Sequence, residues 1–264
     1  MIHPTALIHP SAQLDLSVEV GPYVVVDGAA TIAEGCRLEA HAQIAGLVRI
    51  GPGTVVGRAA IIGGDPQDLG FKPETVSGVI IGAGNVIREH VTIHRGSKPD
   101  SFTRLGDGNL LMAGAHVGHD STVGNKNVLA NGCLLGGHVT MGDHVFAGGG
   151  SAFHQFIRVG DYCMIQGHGG FSMDVPPYCA GHHINQLMGL NVVGLRRHGF
   201  SREERASIKD MFELLFCSGK NMSQALEAAR DREWPEAARR LLDFMAATGK
   251  RGVCRFRAGT KDED

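Results

Sequence analysis

An aliphatic side chain returns at every sixth residue along most of this chain. Steps of six from Ile2 give Ile8, Leu14, Val20, Val26, Ile32, Leu38, Ile44, Ile50, Val56 and Ile62. The register lapses through GDPQDLGFKPETVSG, resumes at Ile81, Ile87 and Ile93, and lapses again through HRGSKPDSFTR. It then runs unbroken from Leu105 through Leu111, Val117, Val123, Leu129, Leu135, Met141, Ala147, Phe153, Val159 and Ile165 to Phe171. In a chain that is 43% apolar, 26 successive apolar hits have a chance probability on the order of 10⁻¹⁰. Neither the 3.6 period of a helix nor the 2.0 period of a strand produces such a pattern. A short strand followed by a turn does, and glycine often follows the aliphatic residue, as at Gly51, Gly118 and Gly136, where the backbone has to turn. Repeats of this length predict a parallel β-helix whose stacked coils bury the aliphatic positions. The two lapses predict external loops near 64–78 and 95–104.

The six-step ends before Phe200. Ser201 to Glu204 reads as a capping box, and Ile208, Met211, Phe212 and Leu215 follow at helical spacing. Gly219 is placed at the C-cap of that helix, and two further helices fit near 223–231 and 235–248. The expected division is 1–190 for the β-helix and 191–264 for a helical domain that caps its end.

Composition narrows the function. The chain has 264 residues, 25 basic and 27 acidic side chains, and a formal net charge of −2. Nothing in that balance points to nucleic acid or to an anionic membrane surface. The first residues, MIHPTALIHPSAQ, have neither a basic nor an apolar region of a signal peptide, and no apolar run is long enough to span a bilayer. Six cysteines (Cys36, Cys133, Cys163, Cys179, Cys217 and Cys254) lack any C-x-x-C pair, which suits a reducing, cytoplasmic setting rather than a disulfide framework. Near the C-terminus Lys250, Arg251, Arg255 and Arg257 read first as a solvated face and second as an attractor for an acidic carrier protein.

The repeat resembles the left-handed β-helix family of hexapeptide acyltransferases. That resemblance implies three hexapeptides, or 18 residues, per coil, so residues 18 apart stack. His119 then lies below Gly137 and Gln155, Asp120 below His138, and Gly136 below His154. An imidazole cluster of this kind suits two chemistries. One is a zinc site with an open position, as in the γ-class carbonic anhydrases. The other is general base catalysis of acyl transfer, with a glycine amide available to an oxyanion. A scaffold or sugar-binding β-helix is the non-enzyme alternative. Outward positions on a solenoid make a shallow site, so a neighbouring subunit is expected to supply the second wall.

Longer motifs sharpen the resemblance: QDL (67–69), IREHVTIHRG (87–96), NLLMAGAHVGHD (109–120), GGHV (136–139), HQF (154–156), DVPPY (174–178) and GLRRHGFSRE (194–203). Together they are similar to the UDP-N-acetylglucosamine O-acyltransferases of lipid A biosynthesis. The resemblance implies a homotrimer that needs no cofactor, with acyl carrier protein bringing an (R)-3-hydroxyacyl group on phosphopantetheine. It implies His119 as general base, Asp120 as its supporting carboxylate and the Gly137 amide as oxyanion donor. Adjacent strand residues point to opposite sides, so the pairing of His119 with Asp120 requires a turn between them. Asp68, His94, His116, His138, His154, Gln155, Asn191 and Arg197 are implied as substrate contacts. Gly167 falls at the acyl-length position, and a glycine there implies a chain of about 12 to 16 carbons. Three departures bear on the nucleotide: QDLG in place of QDLK with Lys72 two residues on, His198 in place of a second basic residue, and Val193 in place of an acidic one. Some relatives acylate a 3-amino sugar instead, giving an amide.

Overall fold

A computed structural model describes residues 1–247, 249 and 251–256. Two- to four-residue strands recur three times per coil and pair in parallel with their counterparts one coil away. They build a nine-stranded sheet from Leu7–Ile8 to Gly170–Phe171, an eight-stranded sheet from Gln13–Leu14 to Arg158–Val159, and an eleven-stranded sheet that begins at Glu19–Val20. The pairing register Val117 with Leu135 with Phe153 is the 18-residue spacing seen directly. The architecture is a left-handed parallel β-helix followed by helices.

Hexad residues from Val20 onward fill the interior, with Ile62, Ile87, Ile93, Leu111, Leu129 and Leu135 fully buried. Each such burial contributes roughly 1.5–3 kcal/mol. The first coil is the exception. Ile2 is 52% exposed and Ile8 and Leu14 only half-buried, because no coil lies beneath them. Polar side chains stack with the same period: Asn85 accepts from the Asn109 backbone amide, Asn109 from that of Asn127, and Asn127 from that of Val145. These buried ladders satisfy corner amides that the sheets do not.

The first insertion occupies 65–77, between strands Ile61–Gly64 and Gly78–Ile81. The second is shorter than expected, 95–101. Residues Phe102–Leu105 form a strand paired to Gly78–Ile81, with Thr103 and Leu105 turned inward. The hexad pattern hid this strand because its inward position two before Leu105 is a threonine.

At the upper end, Cys179–His182 pairs antiparallel with Gln186–Leu190, and among the described residues four helices follow: α1 (Val192–Arg197), α2 (Arg202–Phe216), α3 (Met222–Arg230) and α4 (Glu236–Ala246). The Ser201–Glu204 capping box is present. Cys217 rather than Gly219 caps α2, and Gly219 takes a left-handed turn two residues later. The chain then returns, and Arg255–Phe256 pairs with Gln186–Leu187. Asp174, fully buried, accepts bonds from the backbone N–H and guanidinium of Arg158, whose side chain lies on the Phe244 ring of α4 at 4.2 Å. That clamp fastens the helices to the last coil. Lys250 and Arg257 lie outside the described residues. Among the described ones, Arg255 is exposed and Arg251 stands 6.0 Å from the Phe156 ring.

Candidate active site

The site grows out of one corner of the prism. After the inward residues Val117, Leu135 and Phe153 the chain passes through Gly118, Gly136 and His154, then His119, Gly137 and Gln155. It turns at Asp120, His138 and Phe156, whose φ values are 58°, 59° and 69°. Left-handed backbone is uncommon for residues other than glycine. Here it is what swings Asp120 back beside His119, the turn that their pairing requires.

His119 Nδ1 lies 2.8 Å from Asp120 Oδ2. Burial pushes the Asp120 carboxyl up, but bonds from Ser97, His119 and Ser101 outweigh it and hold the group down at about 2. An ionised carboxylate only accepts, so Nδ1–H donates and the Nε2 lone pair faces the cleft. Ser97 adds two donors to the same oxygen, its backbone N–H at 3.0 Å and its hydroxyl at 2.6 Å. The Asp120 backbone N–H donates to Thr103 Oγ1 at 2.8 Å. His138 stands behind, with Nε2 3.7 Å from Asp120 Oδ2, its ring edge-on to His119 and stacked on Phe156 at 4.5 Å.

Gly137 faces the His119 ring. A Cβ on Gly137 would lie 2.6 Å from Nε2, so the glycine is required by the close approach itself. Among the described residues its N–H donates to no backbone acceptor. Below it, a Cβ on Gly118 would lie 2.7 Å from the Gly137 nitrogen. The floor of the site is therefore bare backbone.

A cleft of about 360 Å³ opens in front of this pair, lined by Gln67, His94, His116, His119, Gly137, His154 and Gln155 among others. His94 and His116 meet edge to face at 5.0 Å. His116 Nδ1 lies 2.8 Å from Thr92 Oγ1, and His94 Nδ1 contacts the Asp65 carbonyl. Burial, helped by His94 and His119, pushes the His116 imidazole down to about 4, and burial lowers that of His94. His116 is thus neutral near neutral pH and offers a hydrogen bond rather than a charge.

Six of the expected site residues therefore line one cleft, with Asp120 and His138 directly behind it. Four do not reach it in this chain. Asp68 is exposed and caps its own Gly70 N–H, while its neighbour Gln67 lines the cleft. Asn191 is the N-cap of α1, accepting from the Gly194 N–H and donating to the Tyr162 carbonyl. Arg197 is exposed at the end of α1. Gly167 lies above Gly149 on a different corner and faces outward. The departures behave differently from one another: Lys72 is exposed, whereas His198 packs edge-on against His144 and Tyr162 at 4.7 and 5.2 Å. Ser97, Thr103 and Gln67 were missed by sequence reasoning. The first two act from segments without hexad register, and no local signal places them.

His119, Asp120 and His138 bring three potential ligand atoms within 4.8 Å of one another. Asp120 Oδ2 already accepts from three donors, and Nδ1 sits at hydrogen-bonding distance from it. That oxygen therefore holds the histidine in place.

Known proteins match this chain in sequence and in fold. Residues 102–137 match the family model for bacterial transferase hexapeptide repeats, and 174–254 match the second domain of UDP-N-acetylglucosamine O-acyltransferase. The chain is 42% identical to the acyl-[acyl-carrier-protein]–UDP-N-acetylglucosamine O-acyltransferase of Thermodesulfovibrio yellowstonii, over 96% of this chain and 99% of that one. Its structure is similar to that of the UDP-N-acetylglucosamine acyltransferase of Francisella novicida, at TM-score 0.92 and 34% identity over 97% of this chain and 94% of that one. A structure from Acinetobacter baumannii is similar at TM-score 0.92 and 36% identity, covering 96% and 99% of the two chains. By sequence along nearly its whole length, by coil architecture and by domain match, the chain belongs to the family of acyl-[acyl-carrier-protein]–UDP-N-acetylglucosamine O-acyltransferases.

Proposed function

We propose that this protein transfers an (R)-3-hydroxyacyl group from acyl carrier protein to the 3-hydroxyl of UDP-N-acetylglucosamine, the first step of lipid A biosynthesis. The observation that carries the chemistry is the His119–Asp120 pair facing a glycine floor. His119 Nε2 takes the proton of the sugar hydroxyl as its oxygen attacks the thioester carbonyl. Asp120, acceptor of the Nδ1 proton at 2.8 Å, stabilises the imidazolium that forms. The Gly137 N–H donates to the oxyanion of the tetrahedral intermediate. Collapse expels the thiolate, which takes the proton back from Nε2, leaving free base, ester and thiol. No metal enters any step. His94, His116, His138, His154 and Gln155 orient the sugar, pyrophosphate and pantetheine.

The active assembly is a homotrimer in this reading. An outward apolar column (Val86, Leu110, Val128, Phe146 and Met164) runs along the eleven-stranded sheet. Val86, Phe146 and Met164 are 38–40% exposed. The eight-stranded sheet instead presents Thr31, Arg49, Ile80, Arg104, Thr122 and Thr140, a mostly polar column. One face thus suits a subunit contact and the other suits water. Across such a contact Asp68, Asn191, Arg197 and Gly167 serve the cleft of a neighbour, the first three at the nucleotide sugar and Gly167 at the acyl chain. Cytoplasmic location fits six free cysteines, five of them buried and Cys217 exposed. Among the described residues no helix is long and apolar enough to cross a membrane.

The test is transfer from 3-hydroxyacyl carrier protein to UDP-N-acetylglucosamine in the presence of EDTA, across acyl lengths. Product is expected with the native protein. His119→Ala should lower kcat at least about 10²-fold while the protein stays folded. An active His119→Ala enzyme would remove the base assignment.

A further inference from the structure

The catalytic corner and the first insertion meet on a single short segment, His94–Ser97. At its near end His94 Nδ1 contacts the Asp65 carbonyl at the root of the 65–77 loop. Arg95, only 13% exposed in its side chain, grips both ends of that loop. Its guanidinium donates to Asp65 Oδ1 at 3.0 Å, to the Thr75 carbonyl at 2.7 Å and to the Pro73 carbonyl at 2.8 Å. The same group lies over the Phe71 ring at 4.8 Å. This fork across three acceptors suits arginine and not lysine. The loop so held is the one that brings Gln67 to the cleft.

At its far end the segment reaches the carboxylate of the dyad. Ser97 donates both its backbone N–H and its hydroxyl to Asp120 Oδ2, the oxygen that orients His119. Between the two ends the backbone has little slack. The Gly96 carbonyl accepts from the buried Ser77 hydroxyl at 2.5 Å, its N–H donates to the Gly78 carbonyl, and a Cβ there would lie 2.2 Å from Ser101 Oγ. Four consecutive residues thus touch the substrate loop on one side and the catalytic carboxylate on the other.

We propose that Ser97 is a positioning residue for the His119–Asp120 pair, and that His94–Ser97 is a strap tying that pair to the 65–77 loop held by Arg95. The proposal rests on the acyl-transfer reading above. Ser97 touches no reacting atom and works through Asp120. Its hydroxyl fixes the plane of the carboxylate, and the carboxylate fixes the direction of Nε2. Charge-assisted hydrogen bonds of this kind are short and strong, and here the donor comes from a segment of the chain outside the repeat.

The two ends of the strap predict opposite kinetic signatures. Ser97→Ala should lower kcat about 10- to 100-fold with KM for the nucleotide sugar within about threefold, because ground-state binding is left in place while alignment is lost. Ser97→Thr, which keeps the hydroxyl, should restore most of the rate. Arg95→Ala should do the reverse, raising KM about tenfold or more with a smaller change in kcat. All variants are assayed beside His119→Ala, with thermal unfolding recorded for each. A folded Ser97→Ala enzyme with native kcat, or a folded Ser97→Thr enzyme no better than Ser97→Ala, overturns the proposal. So does an Arg95→Ala enzyme with unchanged KM. If His119→Ala is itself fully active, the failure lies in the base assignment and not in the strap.

Discussion

The contact between Gly137 and His119 can be turned into a number. A methyl group on Gly137 would sit 2.6 Å from His119 Nε2, 2.7 Å from Cε1 and 3.1 Å from Cδ2, and these are its three nearest atoms. Ordinary contact begins at 3.4 Å, so the ring must retreat by the difference, 3.4 − 2.6 = 0.8 Å. Gly137 has no left-handed φ among the described residues, and its N–H survives the change to alanine, so neither backbone strain nor loss of the oxyanion donor enters. What yields is a side chain, and it yields away from the place where the sugar hydroxyl must lie. A displacement of about 1 Å at a reacting group costs on the order of 10²-fold, or about 2.7 kcal/mol of barrier. Stability should change by no more than about 0.5 kcal/mol, since nothing but the movable ring is disturbed. The assay is steady-state transfer at saturating sugar with a thermal melt beside it. The double variant with His119→Ala should be no slower than His119→Ala alone, because both act on the same ring. A Gly137→Ala enzyme within twofold of native kcat would refute the reasoning, and so would a loss of rate fully explained by unfolding.

Other outcomes follow from the same contacts. Asp120→Asn replaces an acceptor-only group with one that can present a donor to Nδ1, which favours the wrong tautomer, and should lower kcat about 10²- to 10⁴-fold at native fold by circular dichroism. Asp174→Ala leaves Arg158 without its buried partner and should cost about 3–5 kcal/mol in urea unfolding, with the helical end loosening first by hydrogen exchange. Acid should destabilise the protein in two steps. His116, held below its ordinary value at about 4, favours the fold while neutral, so stability is lost as pH falls below about 6.5 and through 4. Asp120, held at about 2, favours it while ionised, so its share is lost between about 3.8 and 2. His116→Gln should flatten the upper of these steps in pH-dependent urea unfolding, and an unchanged curve would remove the assignment. Gly167→Met should shift acyl preference toward shorter chains in a competition assay, because a side chain there is set against the Gly149 carbonyl, 3.1 Å from its Cβ, and extends outward from this exposed corner.

The hexad alone determined the solenoid. A six-residue period with one buried side chain per unit has few packing solutions, and each hexad from Val20 to Phe171 found the interior. The capping box at Ser201 was equally local, since both of its hydrogen bonds span three residues. The stack of His119, Gly137 and Gln155 followed once the coil length was known, because uninterrupted register makes sequence distance a measure of height. Ser97, Thr103 and Gln67 could not follow in this way. They act across an insertion where the register is lost, and which oxygen a loop serine meets depends on how the loop closes, not on its neighbours in sequence. The left-handed turn at Asp120 was likewise settled in three dimensions: a residue that would face away from His119 in a strand is carried around the corner to face it. Sequence thus set which residues lie inside and at what height on the column, through hydrophobic burial repeated with a fixed period. Tertiary structure decided how the corner and the two insertions close on each other, because those contacts join segments that share no period.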